Sequence, residues 1–154
     1  MVPSPIFAVL AILILAAGAT TSIAAPNDKS EESVVASTNY AKAVKAIESQ
    51  QYHEAIEYLR AVFFITPRDP NMLNYMGYSY RKIEKYDKAI DYYKRALEEY
   101  PNHLGANEYL GEAYLETDKL SLAEQRLATL KSACGDCEEY QDLKKDIAGY
   151  KAPH

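Results

Sequence analysis

Cys134-Gly135-Asp136-Cys137 holds both cysteines of the chain and is its one candidate for covalent chemistry. A thiol just before a helix has its pKa lowered by the helix N-terminus, so the pair has the placement of a redox motif. Asp136, Glu138 and Glu139 crowd it with negative charge, which works against a thiolate. The βαβ pattern of a thioredoxin-like site is missing. Two thiolates do not complete a tetrahedral zinc site, and His53, His103 and His154 do not cluster with them in sequence. In an oxidising compartment an isolated pair this close is expected to be bridged. The expectation is a structural disulfide between Cys134 and Cys137, closing a loop so small that it contributes less than about 3 kcal/mol. A thiol-disulfide or metal-handling protein is the rival reading. No nucleophile-base-acid set, glycine-rich phosphate loop or complete metal set occurs, so the chain is expected to be no enzyme and to need no cofactor or metal.

Two further sets suit non-covalent chemistry. Asn71, Asn74 and Tyr78 stack on one helical face, where they could hydrogen-bond a peptide backbone, and Arg81 and Lys82 could pair with an acidic group. Glu108, Glu112 and Glu116 recur at i, i+4 and i+8 and would attract a basic segment. An ordinary solvated helix face carries the same residue types. With 17 basic and 22 acidic residues the chain is mildly acidic, which excludes nucleic acid as the expected partner.

The elements that must position these groups are helical. Apolar residues three and four apart, such as Ile56, Leu59 and Phe63 or Ile90, Tyr93 and Leu97, predict helices at about 35–49, 52–65, 70–83, 87–99, 103–116, 120–132 and 138–149. Asp69 can cap a helix that has Pro70 at its first position. Ser121 and Glu124 have capping-box spacing. Pro67 and Pro101 close the second and fourth helices.

Before the first charged side chain, Asp28, lies an apolar run from Ile6 to Ala17 followed by small residues through Ala25. It reads as a secretory signal peptide over 1–24, cut after Ala24, with a flexible polar linker over 25–34. An uncleaved anchor is the alternative, since the stretch approaches the roughly 20 residues of a spanning helix. Either way the remaining chain is expected outside the cytoplasm, periplasmic or secreted. Membrane association is expected only if the segment stays uncleaved.

A 34-residue period orders the rest. Gly77, Tyr80 and Ala89 recur as Gly111, Tyr114 and Ala123; one period earlier Ala55 and Pro67 match Ala89 and Pro101. The unit at 70–103 carries Leu73, Met76-Gly77, Tyr80, Ala89, Tyr93, Ala96 and Pro101. That at 104–137 carries Leu110-Gly111, Tyr114, Ala123, Leu127 and Leu130, with Gly135 where proline would stand. The unit at 36–69 is degenerate, with Ala43 and Ala46 at the glycine and tyrosine positions. These units resemble tetratricopeptide repeats. The resemblance implies an all-α fold, a right-handed α-solenoid of three helix-turn-helix units (36–69, 70–103, 104–137) capped by a helix and tail over 138–154. The repeated Gly, Ala and Tyr residues are then packing residues, with Gly77 and Gly111 admitting the paired helix and Tyr80 and Tyr114 filling the space between units.

By the same resemblance, the first helix of each unit lines a concave groove. Its inward positions include Asn71, Asn74, Tyr78, Arg81 and Lys82 in the second unit and Glu108, Glu112 and Glu116 in the third. Some members grip a C-terminal carboxylate with a Lys/Asn/Arg clamp; here Tyr40, Val44, Gly105 and Tyr109 stand at clamp positions, so that clamp is absent. The tail from Cys134 to Tyr140 also resembles that of small exported tetratricopeptide proteins of Gram-negative bacteria. The function implied is an exported scaffold binding a peptide or partner protein in its groove. A homo-oligomer stacked through Tyr-rich helix ends is a second possibility.

Overall fold

The computed structural model describes residues 28–152. The expected signal peptide and the first residues of the expected linker lie outside the described residues. Those described form seven helices, α1 (Asp28–Glu48), α2 (Tyr52–Ile65), α3 (Pro70–Lys82), α4 (Tyr86–Glu99), α5 (Leu104–Leu115), α6 (Leu120–Cys134) and α7 (Glu138–Lys151), and no strand. The α1–α2, α3–α4 and α5–α6 pairs are helical hairpins stacked in chain order, and α7 packs on both α5 and α6. The fold is an all-α solenoid.

Local chemistry sets most boundaries. The Asp69 carboxylate accepts the Met72 amide at 2.8 Å and Pro70 opens α3, as its fixed φ favours. Thr66 and Tyr100, each followed by proline, leave helical geometry and end α2 and α4. Two expectations are corrected. The linker 25–34 is helical from Asp28 onward: it contains no proline or glycine after Pro26, and Asp28, Glu31 and Glu32 fall where a helix N-terminus favours negative charge. The cap of α6 is Lys119 without a side-chain bond, and Ser121 lies inside the first turn, so no capping box forms.

The turn within each hairpin carries a signal that composition hides. Gln50, Glu84 and Asp118 sit in the left-handed region at φ 58°, 59° and 57°, and they are spaced one period apart. The next amide in each case closes back on the helix, Gln51 to the Ala46 carbonyl at 2.8 Å, Lys85 to Tyr80 at 2.9 Å and Lys119 to Tyr114 at 2.7 Å. This is a Schellman-type close, normally built with glycine or asparagine.

The core forms in two clusters. Leu59, Met72, Leu73, Met76, Tyr93 and Leu110 centre the first, and Ala123, Leu130, Leu143 and Ile147 the second. Tyr114 packs against both. Tyr80 stacks on Tyr92 with ring centroids 5.5 Å apart and is met at 3.5 Å by Arg60 from the preceding unit. A Cβ at Gly77 would lie 2.5 Å from the Tyr93 ring of the paired helix. At Gly111 the close neighbour is Leu143 of α7, at the same 2.5 Å, so this glycine admits the cap and not the paired helix.

Two substitutions should move stability in opposite directions in urea unfolding at constant m-value. Gly77→Ala should cost about 1–3 kcal/mol, because the buried Tyr93 ring must shift. Glu84→Gly should gain up to about 1 kcal/mol by relieving the left-handed backbone.

Candidate functional site

The odd-numbered helices touch in succession, α1 with α3, α3 with α5 and α5 with α7. The backbones of α2, α4 and α6 do not approach one another among the described residues; only long side chains reach across, as Arg95 of α4 does over the Phe63 ring of α2 at 5.0 Å. A stack whose units touch on one side and part on the other curves toward the touching side. The wall built by α1, α3, α5 and α7 is therefore the concave one.

Tyrosines line this wall, joined at its edge by Tyr52 at the start of α2. Tyr40 meets Tyr75 edge-on at 5.7 Å, Tyr52 meets Tyr78 at 6.1 Å, and Tyr78 meets Tyr109 at 5.1 Å. Such pairs hold side chains of neighbouring helices in fixed relative positions. Asn71 is exposed, and its Oδ1 lies 3.1 Å from His103 Nε2 at the head of α5. His103 Nδ1 accepts the Ala106 amide, so its Nε2 carries the proton and donates to Asn71. Burial lowers the His103 pKa and keeps the ring neutral. Asn74 is 7 % exposed, and its Oδ1 has no hydrogen-bond partner among the described residues. Lys82 is exposed, with Nζ 5.5 Å from the Tyr78 ring.

The basic set and the acidic stripe meet each other. Arg81 is buried, 2.5 Å from Glu112 and 3.1 Å from Glu116, and lies over the Tyr78 and Tyr109 rings at 5.8 and 5.6 Å. Burial opposes its charge, but Glu112, Tyr93 and Glu116 outweigh that and hold the guanidinium above its ordinary pKa. Arg81, expected to face an acidic partner, is thus engaged inside the wall, and so are two of the three stripe carboxylates. Glu108 is the exception. It is 8 % exposed, makes no hydrogen bond or ion pair among the described residues, and its pKa is raised to about 8 by burial and then by Glu112, Asp142 and Glu139. His103 and Tyr109 carry no binding signal within a single unit; their place becomes visible only when units are laid side by side.

Cys134 and Cys137 are joined by a disulfide. Cys134 ends α6, Gly135 turns the chain at φ 75° and Cys137 caps α7, so the bridge ties the third hairpin to the last helix. Among the described residues no group of three or more His, Cys, Asp or Glu side chains could hold a metal ion.

Tetratricopeptide repeat models match residues 40–103 and 83–147, which together run from within α1 through the third hairpin to most of the last helix. The chain belongs to the tetratricopeptide repeat family. Solved TPR domains share the fold. The Arabidopsis OM64 TPR domain aligns with TM-score 0.72 and 9 % identity over 77 % of this chain and 98 % of that one. The first TPR of Spaghetti (RPAP3) bound to an HSP90 peptide aligns at 0.70 and 19 %, over 76 % and 93 %. The Yersinia enterocolitica type III secretion chaperone SycD, in complex with a peptide of the translocator YopD, aligns at 0.68 and 18 %, over 80 % and 93 %. No curated protein matches this sequence.

Two measurements probe the electrostatics of this TPR wall. Arg81→Met should cost about 3–5 kcal/mol in urea unfolding, because it leaves Glu112 and Glu116 without their cation; adding Glu112→Gln should restore part of it. Glu108 binds its proton more tightly folded than unfolded, so its contribution is complete below its unfolded pKa and is lost as pH rises toward about 8. Stability should therefore decline between about pH 5 and pH 8, and Glu108→Gln should flatten that slope.

Proposed function

We propose that this protein is an exported, non-enzymatic scaffold that holds a peptide segment or partner protein along its concave wall. The observation that carries the reading is Asn74, whose buried Oδ1 is an acceptor without a partner among the described residues, set beside exposed Asn71 and half-buried Tyr78. An unmet buried acceptor costs about 1–3 kcal/mol, and a peptide N–H laid along the wall would meet it. The tyrosines around it offer flat, rigid contact area at low cost in side-chain entropy.

Two of the solved TPR domains similar to this chain were determined with peptides, one of HSP90 and one of YopD. In this chain the positions of a carboxylate clamp hold Tyr40, Val44, Gly105 and Tyr109, and Arg81 is taken by two glutamates. The partner is therefore not a free C-terminal carboxylate; it is read by amide and aromatic contacts. Export is supported by the apolar Ile6–Ala17 segment with its small-residue zone and by the Cys134–Cys137 bridge, which suits an oxidising compartment.

Crosslinking in cells that export the protein tests this. Wild type should capture a reproducible partner, and Tyr78→Ala and Asn74→Ala should each reduce its recovery about tenfold while far-UV circular dichroism stays unchanged. Equal recovery by both folded variants means that the wall is not the binding face.

A further inference from the structure

One part of the wall keeps carboxyl groups that no cation of the protein itself answers. Between α5 and α7 lies a cavity of about 220 Å³ lined by Glu108, Tyr109, Glu138, Glu139 and Asp142. The dipole of α7 accounts for Glu138 and Glu139, which fall in its first turn. It does not account for Asp142 further along, nor for Glu108 on the neighbouring helix. No lysine or arginine among the described residues pairs with any of the four carboxylates. A carboxyl group withdrawn from water without a partner is costly, and folds that retain one tend to use it.

The protein supplies its own pattern for what is missing. One helical turn along α5, Arg81 sits against Glu112 and Glu116 with its guanidinium over Tyr109. Glu108 repeats the position of Glu112 four residues earlier and adjoins the same Tyr109 in the cavity. The cup thus offers carboxylates and a tyrosine, as around Arg81, with its cation place open to an incoming group. We propose that this cup seats a lysine or arginine side chain of the polypeptide bound along the concave wall. The proposal rests on that wall as the docking face and adds a chemical requirement: the partner carries a basic residue where it reaches the last helix. Arginine suits it best, since a planar guanidinium can engage two carboxylates and lie on a ring at once.

The cup can be tested without the partner. The ¹⁵N-labelled full chain is titrated with arginine amide and, separately, with citrulline amide, both Nα-acetylated, so that the second keeps the shape and removes the only charge. Arginine amide should shift the backbone resonances of Glu108, Tyr109, Glu139 and Asp142 in a saturable way, and citrulline amide should not. Glu108→Gln and Asp142→Asn should each raise the Kd for arginine amide about tenfold, the loss expected for one charge-assisted contact. Asp142 is exposed, so its variant keeps the test valid if Glu108→Gln disturbs folding. Equal shifts with citrulline amide, unchanged binding by the folded variants, or saturable binding of calcium ions in place of arginine amide would each overturn the proposal. The small cation reports on the cup alone, while partner recovery with Tyr78→Ala reports on the wall, so either reading can fail without the other.

Discussion

A helical hairpin of this kind has two apolar sides and can cover neither with its own residues. Everything else in the molecule follows from that shortage. The side left open by α1–α2 is covered by α3, that of α3–α4 by α5, and that of α5–α6 by α7, which has no partner helix of its own. Hence Leu143 and Ile147 of the last helix are as buried as residues at the centre of the stack. The Gly111–Leu143 contact is where this closure is tightest. The disulfide at the head of α7 limits how far the last helix can swing away.

The same stacking decides which polar residues are free. Hairpins that touch on the inner side bring each unit's wall residues against those of the next. Arg81 is lost to binding in this way, and with it Glu112 and Glu116. What remains for a partner is Asn71, Asn74, Tyr78 and Lys82 in the middle of the wall and Glu108 toward its end. The wall is close to neutral at its centre and negative beside α7, an asymmetry that formal charge counts along single helices do not reveal.

Periodicity in the sequence made the fold legible because the repeated residues are those that packing constrains. Leu73, Tyr93 and Leu110 announce buried faces, and Asp69-Pro70 announces a helix start, through local rules. The site was legible only in part. Asn71, Asn74, Tyr78 and Lys82 could be placed on the inner wall from their register. The pairing of Arg81 could not be seen while each unit was read alone, since its partners are 31 and 35 residues away. Comparing equivalent positions in neighbouring units would have found it: Glu116 is the counterpart of Lys82, directly across from Arg81. The burial of Glu108 depends on α7, which belongs to no repeat. The early start of α1 is hidden by its polar composition, although nothing in 28–33 breaks a helix.

The left-handed residues in the hairpin turns bear on how such a molecule can change. Gln50, Glu84 and Asp118 are three different residue types, none of them glycine or asparagine, yet their φ values agree within 2°. The first hairpin, whose side chains have drifted furthest from its siblings, makes the same turn as the others. The repeat is thus written more faithfully in the backbone than in the residues, and each unit closes its own hairpin by the same turn. Shape and surface are thereby separated: substitutions can rewrite what the wall recognises while the arc on which the recognition residues sit stays where it is.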